Sequence, residues 1–231
     1  MADIGSKEIQ PFQLTEHNFS GRFIAVEGMN GCGVTALVRK ICRDLETKGY
    51  DVLRARLPSD RLRKSSMFKT FSQMNRRSEI DPLVFEVAYM ADKLQTSQHV
   101  IAPALAQGKI VVADRYLFSS LGALLIRAPE LAAVVKDAIY TRDWFRDLVE
   151  NMVKPDVSIY LSASADIAVD RILRRQQERS FEIEENAYQQ LLDDGIALAR
   201  LNGMQVFDTT ATSVNETFKN VLPFLDKTLT W

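Results

Sequence analysis

At 231 residues the chain suits one sizeable α/β domain or two very small ones. Its 46% hydrophobic and 26% charged residues support a real core and exclude overall disorder, and a net charge of −1 argues against a broad nucleic-acid-binding surface. No apolar run approaches the roughly 18 residues of a membrane span, and the polar stretch Met1–Ser20 lacks the basic-then-apolar pattern of a signal peptide. Residues 1–20 therefore read as a short mobile extension, and a cytoplasmic location is expected.

The first predicted strand is the apolar run Phe23–Val26. It leads directly into Gly28 to Thr35, G-M-N-G-C-G-V-T, which meets the phosphate-loop pattern G-x-x-x-x-G-K-[ST] everywhere except at the lysine, here Val34. Glycines let backbone N–H groups curl around an anion, and the following helix points its positive end at the same place. The lysine normally bridges the outer two phosphates. A valine cannot. The helix after the loop carries Leu37, Val38, Ile41 and Leu45 on one face, and Gly49 suits its C-terminal stop.

Further strands are predicted at Val52–Arg54, Ile110–Ala113, Val157–Leu161 and Gln205–Phe207. Helical patterns separate them, the alternation of a parallel sheet wrapped by helices. Asp81-Pro82 opens a long helix as an N-cap followed by proline at N1, and Pro103 is expected to kink or split it before Gly108. Ser213 with Glu216 forms a capping-box pattern for the last helix. With no repeat and no linker-like shift, residues 21–231 read as one domain.

Cys32 and Cys42 should lie on the order of 15 Å apart along one helix, too far to bridge, so reduced thiols are expected. A lowered Cys32 pKa at the helix N-terminus is the alternative to a small residue tolerated in a tight loop. His17 and His99 are isolated, and no Cys/His/carboxylate cluster has metal-site spacing.

Phosphoryl transfer on this architecture needs a metal anchor, a grip on the acceptor phosphate, a base pocket and mobile positive charge. Thr35 offers a hydroxyl ligand for Mg²⁺, and Asp114, at the end of its strand, a carboxylate acting through water; a helix N-cap is the alternative role for Asp114. Arg56 and Arg115 stand at C-terminal strand ends, where ligands bind in open α/β sheets, and a guanidinium fork matches phosphate oxygens. Arg61, Arg63 and Lys64 read as solvated surface charges. Tyr89 and Lys93 share a helix face, suited to stacking and hydrogen bonding with a base, or to packing plus solvated charge. Arg171, Arg174, Arg175 and Arg179 crowd the stretch before Ser180-Phe181-Glu182, as a dipole-complementing helix end or as a lid.

From about Arg22 to the C-terminus these residues resemble the thymidylate kinase family. F-I-A-V-E-G-M-N-G-C-G resembles its opening strand and loop, and Arg56-Leu57-Pro58 its R-x-P element. A-Y-M-A-D-K-L-Q at Ala88–Gln95 is similar to its alanine-acid-arginine helix, and A-D-R-Y-L-F-S-S at Ala113–Ser120 to its D-R-Y segment. K-P-D-V-S-I-Y-L at Lys154–Leu161, the arginines ending in Arg179-Ser180-Phe181-Glu182, and Val206-Phe207-Asp208 complete the series. The resemblance implies a three-layer P-loop nucleoside monophosphate kinase fold, a five-stranded parallel sheet flanked by helices. It implies transfer of the ATP γ-phosphoryl to a deoxynucleoside monophosphate, dTMP or a related nucleotide, with Mg²⁺, in a homodimer that engages neither nucleic acid nor membrane.

By position, the resemblance puts Gly28, Asn30, Gly31, Cys32, Gly33, Val34, Thr35 and Arg175 on ATP, with Thr35 and Asp114 on the metal. Arg56 and Arg115 would hold the acceptor phosphate, Tyr89 would stack on its base, and Lys93 would stand where an arginine contacts that base. Asn30 would address the acceptor sugar, and Arg179 would be the lid arginine, catalytic together with Arg115. Gly31 stands where one subgroup has a catalytic arginine, which aligns this loop with the subgroup whose extra cation comes from the lid.

The departures cluster. Val34 replaces the loop lysine, Asn30 an acid, Leu57 a glutamate and Ser162 an aspartate, while Ala123 and Leu124 stand where a tyrosine-glutamine pair often lies near the base. A working kinase whose lid supplies the missing charge, a nucleotide-binding pseudokinase, and a kinase for a bulkier nucleotide all stay open.

Overall fold

The computed structural model describes residues 10–73, 79–118, 143–175 and 185–229. All five predicted strands form, each one to three residues longer than its apolar run: β1 (Arg22–Gly28), β2 (Val52–Arg56), β3 (Ile110–Asp114), β4 (Val157–Ser162) and β5 (Gln205–Asp208). They pair in parallel in the order β2-β3-β1-β4-β5. The central β1 has β3 on one side and β4 on the other, so the chain reverses its direction of travel across the sheet there. The crevice at the C-terminal ends of these strands is where open α/β sheets bind ligands.

Alternation along β1 divides the interior. Ile24 and Val26 face a core shared with α1 (Val34–Thr47), α7 (Ala165–Arg175), α8 (Glu185–Leu201) and α9 (Val214–Thr228). Phe23 and Ala25 face the opposite core, built with α2 (Asp60–Lys64), α3 (Ser66–Ser72), α4 (Pro82–Thr96), α5 (Ala102–Ala106) and α6 (Asp143–Glu150). Two apolar faces on one sheet require helices on both, and the result is three layers.

The local signals act as their chemistry dictates. Gly49, at φ 87°, follows α1 in the left-handed region where a Cβ would be strained. The Asp81 carboxylate accepts from the N–H groups of Leu83 and Val84 at the start of α4. Before Pro103 the helix passes through one π turn, Ser97–Ile101, rather than breaking. Proline lacks an N–H, and the wider turn accommodates the lost bond within a continuous helix. The Ser213–Glu216 capping box is present in both directions.

Within the polar N-terminal stretch, Gln10–Ser20 packs on the domain. Phe12 is buried against Phe118 and Phe145, with ring centroids 5.9 and 5.6 Å away. Its N–H donates to Asn202 Oδ1 at 2.8 Å, Thr15 bridges to Val153, and Lys154 pairs with Glu16. Phe12, with the half-buried Leu14 and Phe19 against the same core, outweighs the run's average polarity. Among the described residues, no helix is long and apolar enough to cross a membrane.

Candidate active site

The loop between β1 and α1 has Gly31 and Gly33 at φ 85° and 93°, as a backbone curled around an anion requires. A Cβ on Gly31 would meet the Ala168 carbonyl oxygen at 2.3 Å, so α7 lies directly against the loop and no side chain fits at this position. Four loop carbonyls are held from outside. Arg115 Nη1 donates to Gly28 O at 2.8 Å, and the Tyr188 hydroxyl to Asn30 O. Arg171 Nη1 donates to Gly31 O at 3.3 Å, and Thr209 Oγ1 to Cys32 O at 3.1 Å.

Val34 begins α1 and is buried in the core, its Cγ2 3.0 Å from where a Gly28 Cβ would stand. It contributes packing and no charge. Cys32 is buried too, and burial pushes its thiol up to about 11, opposite to the activation a helix N-terminus can confer. Both cysteines are free.

Thr35 Oγ1 donates to Asp114 Oδ1 at 3.0 Å, which brings the two expected metal ligands together. The other Asp114 oxygen is in an ion pair with Arg54, a residue two positions before Arg56 on β2. Asp114 is 2% exposed, and these partners engage both of its oxygens. Hydroxyl and carboxylate are the hard oxygen donors that Mg²⁺ takes with water and phosphate oxygens, and this pair fits such an ion. Among the described residues, no group of three or more His, Cys, Asp or Glu is placed to hold a metal ion.

Arg115 adopts φ 76°, a left-handed backbone uncommon for a residue with a Cβ. Its N–H donates to Val26 O at 3.0 Å while Nη2 reaches Asn30 Oδ1 at 2.7 Å. These bonds hold the strained residue, and tie D-R-Y to the loop. Arg56 is exposed at the end of β2, beside Asp114 in register. Arg63 is no solvated charge: it donates to Pro58 O at 2.7 Å and Leu57 O at 3.3 Å, and burial lowers its pKa.

Tyr89 is buried beside Phe85, and Lys93 is wholly buried. The Lys93 ammonium donates to Leu117 O at 2.8 Å and stands 4.5 Å from the Tyr89 ring centroid; burial lowers its pKa to about 8. Glu27, buried in β1, accepts from the N–H groups of Tyr116 and Phe118, both at 2.9 Å. Lys93 and Glu27 thus brace residues 116–118, from the tyrosine of D-R-Y onward.

Beside the loop a groove of about 300 Å³ is lined by Gly33, Ala36, Arg171, Thr209, Thr212 and Val214 among others. Arg171 spans it, donating to Thr209 O at 2.7 Å. The side chain of Arg175, the whole of Arg179, and Ala123 and Leu124 lie outside the described residues. Sequence reasoning missed Arg54, Tyr188 and Glu27. The signal for Arg54 and Glu27 was a charge inside a strand; Tyr188 carried none.

Thymidylate kinase is the family whose model matches, over residues 26–220. The chain belongs to the thymidylate kinase family. Among curated relatives, it is 28% identical over 169 residues to a probable thymidylate kinase of Thermococcus gammatolerans, covering 71% of this chain and 74% of the relative. A thymidylate kinase of Caldicellulosiruptor saccharolyticus is 29% identical over 158 residues, 66% and 69% of the two chains. A probable thymidylate kinase of Caldivirga maquilingensis is 24% identical over 204 residues, 88% and 93%. Family membership makes this chain a nucleotide monophosphate kinase, a phosphotransferase.

Proposed function

We propose that the protein transfers the γ-phosphoryl group of Mg·ATP to a deoxynucleoside monophosphate, dTMP or a close relative, at a reduced rate. The observation that carries this reading is the loop with its Thr35–Asp114 pair assembled at 3.0 Å despite Val34. ATP phosphates lie in the loop from Gly28 to Thr35, and the donor nucleoside lies in the groove spanned by Arg171. Arg56 and Arg115 grip the acceptor phosphate, Asn30 faces the acceptor sugar, and Arg175 and Arg179 supply further positive charge to the phosphates. Tyr89 and Lys93 form the buried floor of the acceptor side, acting through the turn at Leu117. Leu83, Val84 and Val87 are exposed apolar side chains on α4, which supports a homodimer through that helix.

A second reading, a nucleotide-binding pseudokinase, is favoured by one observation: the lysine position is filled by a buried valine. Phosphoryl transfer from Mg·ATP to a panel of nucleoside monophosphates, by direct product separation, decides between them. Wild type should yield slow product, and Val34→Lys should raise the rate by roughly 10²–10³, the usual value of one electrostatic stabiliser. Nucleotide binding with no product from either protein would leave the pseudokinase as the account.

A further inference from the structure

The loop lacks the motif's cation at Val34, and an arginine stands on the metal side of the same site. Arg54 lies on β2 with Asp114 in reach on the neighbouring β3, and Nη2 pairs with Asp114 Oδ2 while Thr35 holds Oδ1. Its Nε–H is shielded from solvent and has no hydrogen-bond partner among the described residues. A guanidinium in this place does more than fill space, because Asp114 is a nearly inaccessible carboxylate directly beside a phosphate cradle. An unpaired carboxylate there repels polyphosphate unless a divalent cation intervenes. Paired with Arg54, the cluster of Thr35, Asp114 and Arg54 is neutral.

We infer that Arg54 is a positioning residue that sets the metal dependence of the site: it neutralises Asp114, weakens the pull on a divalent cation, and lets the cradle accept polyphosphate with little help from metal. The inference rests on the proposed nucleotide site. It follows from three facts of charge and place: the absent loop cation at Val34, both oxygens of Asp114 engaged, and an arginine supplying the compensating charge from the neighbouring strand. Arg115 adds positive charge nearby but is tied to Gly28 O and Asn30, leaving Asp114 to Arg54.

The test is calorimetric titration of wild-type protein with ATP, once in excess Mg²⁺ and once in EDTA. The expected affinities differ by less than about tenfold. Arg54→Gln, which can still hydrogen-bond to Asp114 without a charge, should lose on the order of tenfold in metal-free ATP affinity. The same variant should bind Mn²⁺, followed by electron paramagnetic resonance, about tenfold more tightly than wild type. Arg54→Lys should stay near wild type in both, because the charge is retained. A wild-type loss beyond about 100-fold in EDTA overturns the inference and leaves the kinase reading standing; so does an Arg54→Gln protein with unchanged metal and ATP binding. Should Arg54→Gln not fold, the wild-type titration still decides. No ATP binding in either buffer overturns the nucleotide site and this inference together.

Discussion

Replacing Lys93 with methionine tests the energetics of the acceptor side most directly. The side chain is wholly buried, and burial lowers its pKa from 10.5 to about 8 even with carboxylates such as Glu86 and Glu27 nearby. At 1.36 kcal/mol per pH unit, keeping this ammonium charged in the folded protein costs about 3 kcal/mol at pH 7. Methionine conserves length and volume, abolishes the charge, and gives up the bond to Leu117 O, worth roughly 1–2 kcal/mol. Lys93→Met should therefore be more stable than wild type at pH 7 by about 1–2 kcal/mol. The direction with pH follows from proton binding. Between pH 8 and 10.5 the unfolded chain holds a proton that the folded one has lost, so the Lys93 contribution to stability rises with pH across that window. The variant's advantage must shrink there. Burial raises the pKa of Cys32 and Cys42 to about 11, and their contribution falls from pH 9 upward, so only the difference between the two proteins is informative. Urea unfolding of both at pH 7, 8 and 9.5 measures it. Parallel stability curves over that range would refute a charged, buried Lys93.

Phe12→Ala removes the anchor of the N-terminal segment and should cost about 3 kcal/mol in urea unfolding, with an unchanged acceptor preference. An unaffected midpoint would mean that Gln10–Ser20 contributes nothing to the fold. Tyr188→Phe deletes the hydroxyl that holds Asn30 O and should weaken ATP binding several-fold, through about 1 kcal/mol of lost loop order. Calorimetry of that variant should show the loss in affinity without a comparable fall in global stability.

The sheet was legible because each strand is a short apolar run bounded by turn residues, and its parallel order follows from helices in between. Strand ends were legible in part. Arg56 and Asp114 stand at the C-terminal strand ends where the sequence puts them, whereas Gly28, Ser162 and Asp208 extend the ladder at residues with no apolar signature. Tyr89 and Lys93 were correctly placed on one helix, but periodicity alone could not say that an ammonium at that spacing would be sealed under Leu117 rather than left in solvent. Arg54 was hidden for a related reason. Its partner is separated by 60 positions in the chain, and only the register of β2 on β3 brings them together. Phe12 was overlooked because averaging over a polar segment conceals one residue that buries well.

The consequence of Val34 turns on what the lysine does besides carry charge. In a trans peptide the carbonyl and the following N–H point in opposite directions. With the carbonyls of Gly28, Asn30 and Cys32 bound from outside by Arg115, Tyr188 and Thr209, the N–H groups of Met29, Gly31 and Gly33 are turned the other way, toward the hollow of the loop. Gly31 O is held in the same fashion by Arg171. Four side chains from four separate stretches of chain therefore maintain the cradle before any phosphate arrives, and none of those bonds involves position 34. Substituting valine leaves this preorganisation in place and removes only a mobile charge, which is the part of the site that a lid or a neighbouring strand can supply from elsewhere. That separation of shape from charge is why a phosphate loop without its lysine still folds as one.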